Sequence, residues 1–264
     1  MKKIRILLIL SCLFLTFGCA SVPTDPSEAA AYRETNDPLE PMNRKIFAFN
    51  MAADKYALRP IAKGYRAVTT DGFRLKVRTF LGNLKTPLTV INDVLQFNLK
   101  NAGIDLSRFV INSTLGFFGV YDVAGRMGLP SNSQGFGTTM AVWNIPSGPY
   151  LVLPFLGPSN VRDTAGIAAD VFLDPFYYVA RNNNNQDVKW SFWTADGVSA
   201  IATYENSIDL LDEGKKSALD FYAFMRSMYQ QHRKKTIERA KGVQSSDKEN
   251  SYEFSLDEED DADE

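Results

Sequence analysis

The chain is poor in the residues that carry covalent and metal chemistry. Its 264 residues include one histidine, His232, and two cysteines, Cys12 and Cys19. That inventory excludes a His/Cys zinc cluster. No Ser/His or Cys/His couple has a partner nearby, and no GxSxG elbow, Walker loop or Rossmann fingerprint occurs. Gly135–Phe136–Gly137 is only a turn-sized fragment of a glycine motif. Glu205 and Asp209 lie one helical turn apart, a spacing that a solvated helix face also produces. The expectation is a protein that is not an enzyme, holds no cofactor or metal, and takes no nucleic acid.

A long apolar run is also missing after the first residues. Lys2, Lys3 and Arg5 precede the short apolar stretch 6–15, and Gly18 stands before Cys19. This is a secretory leader, too short and wrongly flanked to span a bilayer. A cysteine directly after the apolar stretch resembles the lipobox of bacterial lipoproteins, although Thr16 and Phe17 depart from the usual Leu and small residue. Cys19 is therefore the expected lipid anchor, and Ala20 and Ser21 after it favour the outer membrane. With Cys12 removed in the leader, no disulfide remains possible. Each acyl methylene adds about 0.8 kcal/mol of membrane attachment.

The expected organisation is a leader over 1–18, a lipidated tether over 19–36, a body over 37–242 and a tail over 243–264. Residues 245–264 hold ten acids against one lysine, so the tail reads as acidic and disordered. The body is mildly basic, which suits anionic headgroups or an ordinary mixed surface equally well.

Within the body the pattern is mainly helical. Met42, Ile46, Phe49, Ala53 and Tyr56 form one apolar stripe at three- and four-residue steps. Residues 73–84 and 86–99 read as two short helices broken around Pro87, and 102–116 as another. Residues 129–163, rich in Gly, Pro, Ser and Asn, read as loop. The segment 164–181 is greasy but interrupted by Asp170 and Asp174 and kinked at Pro175, too broken to cross a bilayer unaided. Its aromatics suit a bilayer interface or a core helix alike. Two last helices join at Gly214, the second ending in the basic cluster Arg233 to Lys235.

The stretch "GPYLVLPFLGPSNVRD" (148–163) is apolar, carries Pro149, Pro154 and Pro158, and stops at Arg162–Asp163. The prolines argue against both a helix interior and a central strand. Together with "NDPLEPMNRKIFAFN" (36–50), "RFVINSTLGFFGVYDVA" (108–124) and "FGTTMAVW" (136–143), it resembles the MlaA/VacJ family of outer-membrane lipoproteins. The resemblance covers roughly residues 36–230. Asn144 stands where the family commonly has Gly.

The resemblance implies a ring-like helical body embedded in the outer membrane from the periplasmic side, with irregular Pro/Gly-rich loops around an amphipathic central channel. It implies removal of mislocalised phospholipids from the outer leaflet and their passage to a periplasmic carrier of the MlaC type, beside trimeric outer-membrane porins. A structural lipoprotein that braces porins or the envelope is the alternative. Irregular backbone at membrane depth must line a cavity or be packed in protein. Tyr150, Leu151, Leu153, Pro154 and Phe155 are accordingly candidates for channel wall or phospholipid contact. Arg162 and Asp163 would mark its polar boundary, with Arg162 meeting phosphate or pairing internally with Asp163, Asp122 or Asp170. Glu40, Asn43, Arg44, Asn50, Arg108, Asn112 and Asp122 are candidates for polar glue between helices.

Overall fold

The computed structural model describes Asp25 and residues 35–182 and 185–242, apart from the side chains of 188, 189 and 192. Cys19, most of the tether and the acidic tail lie outside the described residues. The fold is mainly helical. Helix α1 (Glu40–Ala53) continues through a π turn, Asp54–Leu58, into α2 (Arg59–Val68). There the Arg59 N–H reaches the Asp54 carbonyl five residues back, directly before Pro60, which has no N–H to give. A long hairpin follows, α3 (Asp71–Leu95) and α4 (Leu99–Thr114), then the single turn α5 (Val123–Arg126) and α6 (Phe136–Val142). Strands β1 (Tyr150–Leu153) and β2 (Gly157–Asn160) form a small antiparallel hairpin. Helices α7 (Val161–Leu173), α8 (Pro175–Asn182), α9 (Gln186–Ser217) and α10 (Phe221–Ala240) complete the body.

Local chemistry sets most of these boundaries. Thr70, Asn98, Asp122, Asn160, Asn185 and Asp220 each accept a backbone N–H at the start of a helix. Asp174 is extended, as the residue before Pro175 should be, and that separates α7 from α8. Three expectations are corrected. Pro87 does not break α3: one lost hydrogen bond is tolerated in a 25-residue helix packed along α4. The stretch 129–163 is not all loop, since it contains α6 and the β-hairpin. The last two helices meet at residues 218–220 rather than at Gly214, which lies inside α9.

The hairpin reconciles three prolines with a strand. Val152 pairs with Pro158, and the Val152 N–H points away from β2, to Asn43 Oδ1 at 2.9 Å. Pro158 therefore sits where the ladder needs no donor from it. Pro154 belongs to the connecting turn, where Phe155 takes φ +63° and Gly157 φ +80°.

The polarity of the body is inverted. Its largest fully buried side chains are Asn43, Asn92, Thr138, Thr139, Asp37, Asp93 and Asp105, while Phe97, Leu99, Leu115, Phe117, Phe118 and Trp193 are exposed. On α1 the residues turned inward are Asn43 and Asn50, whereas Phe49 of the apolar stripe is exposed, as is Tyr56 of the π turn. On α4 the inward set is Ala102, Asp105, Arg108 and Asn112, with Leu106 and Val110 outside. Among the described residues, no helix is long and apolar enough to cross a membrane.

Candidate functional site

The site is assembled around the β-hairpin. The exposed edge of β1 is covered by amide side chains one heptad apart on α1. Asn43 accepts from the Val152 N–H at 2.9 Å and donates to the Tyr150 carbonyl at 3.1 Å. Asn50 accepts from the Phe155 N–H and donates to the Leu153 carbonyl, both at 2.9 Å. Two turns of helix rise about 10 Å, as do three residues of strand, so one amide pair after another matches the edge. Asn36 extends the same edge, its carbonyl accepting from the Tyr150 N–H at 2.8 Å.

Helix α10 grips the other side with a repeat that the sequence reading passed over, Tyr222-x3-Arg226 and Tyr229-x3-Arg233. In the first copy Tyr222 Oη and Arg226 Nη1 donate to Asp37 Oδ2 at 2.5 and 2.7 Å. In the second, Tyr229 Oη donates to Asp163 Oδ2 at 2.6 Å, and Arg233 binds both Asp163 oxygens at 2.7 Å. The heptad offset puts all four side chains on one face. The heptad spacing of the two pairs is the signal for them that the sequence carries, beside the basic end of the helix. Asn43 also donates to Asp37 at 2.8 Å, so the α1 and α10 arrangements meet at one buried carboxylate.

Arg162 lies beside Asp163, with Nε and Nη2 at 3.2 Å, and its Nη1 donates to the Ile145 carbonyl. Of the three carboxylates considered for it, Asp163 is the one in contact. Burial works against the Asp163 charge, but Arg233, Tyr229 and Arg162 hold this carboxyl below the ordinary range. Asp163 also receives an amide hydrogen from Asn160, the N-cap of α7. Glu40 pairs with Arg44 at 2.7 Å, and Arg44 reaches Asp220 at 2.6 Å. Arg108 Nη2 contacts both oxygens of Asp122 at 2.9 and 3.0 Å, and Asn112 donates to Asp122 at 2.9 Å while accepting from the Ala124 N–H. That trio fixes the loop between α4 and α5, well away in sequence from the hairpin.

Two cavities flank β2. One, of about 200 Å³, is walled by apolar side chains including Phe47, Met51, Phe155, Leu156, Phe221 and Met225. The other, of about 230 Å³, carries charged and polar side chains, Ser133, Asp163, Asp170, Tyr229 and Arg233, beside apolar ones such as Pro158 and Ile167. Pro158 lines both. Of the channel candidates, Phe155 lines the apolar cavity and Asp163 the polar one. Pro154 is exposed in the turn, and Leu151 and Leu153 are half-buried in β1. Tyr150 is buried in the core, its ring edge-on to Tyr222 with centroids 6.2 Å apart. Among the described residues, no group of three or more His, Cys, Asp or Glu side chains could hold a metal ion.

Comparison with known proteins places this geometry in context. Residues 35–236 match the model of a family described as "MlaA lipoprotein". A Rickettsia bellii (strain RML369-C) protein called "Uncharacterized protein" is 41% identical over 207 residues, 78% of each chain. The "Intermembrane phospholipid transport system lipoprotein MlaA" of Escherichia coli (strain K12) is 31% identical over 220 residues, 81% of each chain. A solved structure from "Structural basis for maintenance of bacterial outer membrane lipid asymmetry" superposes with a TM-score of 0.62. It is 30% identical and covers 76% of this chain and 98% of its own.

Proposed function

The chain belongs to the MlaA lipoprotein family, and on that premise we propose that it removes mislocalised phospholipids from the outer leaflet of the outer membrane. It passes them along an amphipathic route through a ring-like body to a periplasmic carrier of the MlaC type, and so maintains lipid asymmetry. The protein is anchored through Cys19, embedded from the periplasmic side, and sits beside trimeric porins. The observation that carries this reading is the pair of cavities meeting at Pro158, one walled mainly by apolar side chains and one bearing Asp163, Asp170 and Arg233. A phospholipid needs such a division, because its tails gain by leaving water and its headgroup must keep polar partners.

The inverted polarity gives independent support. Exposed aromatics and aliphatics suit an apolar surrounding, and buried Asn, Asp and Thr side chains suit helix association where water does not drive packing. Transport of this kind breaks no covalent bond, in keeping with the sparse catalytic inventory.

The test is labelling of outer-leaflet phosphatidylethanolamine with a membrane-impermeant amine reagent, in cells with and without the protein. Labelling should rise in its absence and return to normal with the wild-type chain. Unchanged labelling accompanied by altered porin assembly would assign the bracing role instead.

A further inference from the structure

The polar cavity is electrically lopsided. At one end Asp163 is shared by Arg162 and Arg233, two cations on one carboxylate. At the other lies Asp170. Its Oδ1 accepts from the Phe136 N–H at 2.9 Å and from Asn92 Nδ2 at 3.3 Å, and among the described residues no cation pairs with it. Its Oδ2 faces Gly135, another lining residue, where an added Cβ would stand 2.7 Å away. Burial raises the Asp170 carboxyl above the ordinary range, the two donors oppose this, and Asp174 adds to it. Such a group gains from a positive charge brought into the cavity.

We infer that this cavity is a headgroup site for a zwitterionic phospholipid, with the ammonium at Asp170 and the phosphate at the Arg233 end. This rests on the transport reading above and names the substrate class it favours. The two ends match the two charges of a phosphoethanolamine group, and the lining also includes the hydroxyls of Ser133 and of Tyr229, the latter bonded to Asp163. Apolar space for the tails begins at the shared Pro158 wall. A lipid with a glycerol headgroup brings the same phosphate without the ammonium, so Asp170 is the residue that separates the two.

The experiment is calorimetric titration of the full chain in detergent with dihexanoylphosphatidylethanolamine and with dihexanoylphosphatidylglycerol. The wild type should bind the ethanolamine lipid about tenfold more tightly, as one charge-assisted contact allows. Asp170→Asn keeps an acceptor for the Phe136 N–H and should erase that ratio by weakening the ethanolamine lipid alone. Ile167→Trp, which fills the cavity from its half-exposed wall, should weaken both. Equal affinities in the wild type, or a ratio that survives Asp170→Asn, would overturn the headgroup site. Those outcomes leave the transport reading standing, because leaflet labelling tests it separately.

Discussion

Asp163 shows how much structure one carboxylate organises here. It is buried, caps no helix itself, and receives hydrogen bonds from Tyr229, Arg233, Arg162 and Asn160, which come from three different elements. Removing its charge would leave two guanidinium groups facing each other with no anion between them. Asp163→Asn should therefore destabilise the fold by about 3–5 kcal/mol, the usual result of breaking a buried ionic cluster from one side. Tyr229→Phe deletes one donor while leaving the ion pairs, and should cost about 1–2 kcal/mol. Guanidinium unfolding in detergent, followed by far-UV circular dichroism, measures both. A loss for Asp163→Asn no larger than that for Tyr229→Phe would mean that the arginines find other partners.

At the scale of elements, close approach and buried charge decide how helices meet. Helices α6 and α7 cross at Gly137 and Gly166, and a Cβ on Gly166 would stand 2.3 Å from the Gly137 nitrogen. Gly166→Ala must push the helices apart and should cost about 1–3 kcal/mol. Gly103→Ala is the control, because its Cβ would meet nothing within 4 Å on α4 and should add roughly 0.5–1 kcal/mol through helix propensity. Between α3 and α4, Asp93 and Asp105 are buried side by side, 0% and 2% exposed. Burial first, then the neighbouring Asp105 carboxyl, pushes Asp93 up to about 7. Arg108 faces Asp105 but is engaged by Asp122. Unfolded, Asp93 would titrate near the ordinary value of about 3.9. Between these values the native pair holds a proton that the unfolded chain releases, so this contribution to stability is full below about pH 4 and is lost as pH rises towards about 7, by at most about 1.4 kcal/mol per unit. Asp93→Asn should flatten that slope in unfolding midpoints taken across the range. Much of this level was legible in the chain: the helical periodicities, the break at Pro175 and the polar residues within apolar helices all stand out locally. The β-hairpin, the unbroken α3 and the two Tyr-x3-Arg grips did not, because each depends on a distant partner. Pro158 fits a strand only because Val152 turns its N–H to Asn43, 109 residues away, and Tyr222 finds Asp37 across 185 residues.

At the scale of the whole molecule, the distribution of polarity decides which solvent the body is built for. The apolar stripe on α1 would line the core of a water-soluble helical protein, yet here Asn43 and Asn50 point inward and Phe49 outward. The same inversion holds on α4, and exposed Phe97 and Leu99 at one end of that helix are matched by Leu115, Phe117 and Phe118 just beyond the other. Sixteen helical residues separate those ends by about 24 Å, comparable to but shorter than a hydrocarbon core. No described helix is apolar enough to cross a bilayer, so any membrane affinity of the body would rest on its exposed apolar side chains. A lipid anchor at Cys19 and an apolar body would make separable contributions, and Cys19→Ala would remove the first alone. If the body is built for lipid, the Cys19→Ala chain should stay in the membrane fraction, resist extraction by high salt or carbonate, and aggregate when detergent is withdrawn. A tethered water-soluble domain would instead be released and remain monodisperse without detergent, and the inverted polarity would then have to be satisfied by a protein partner covering the same residues.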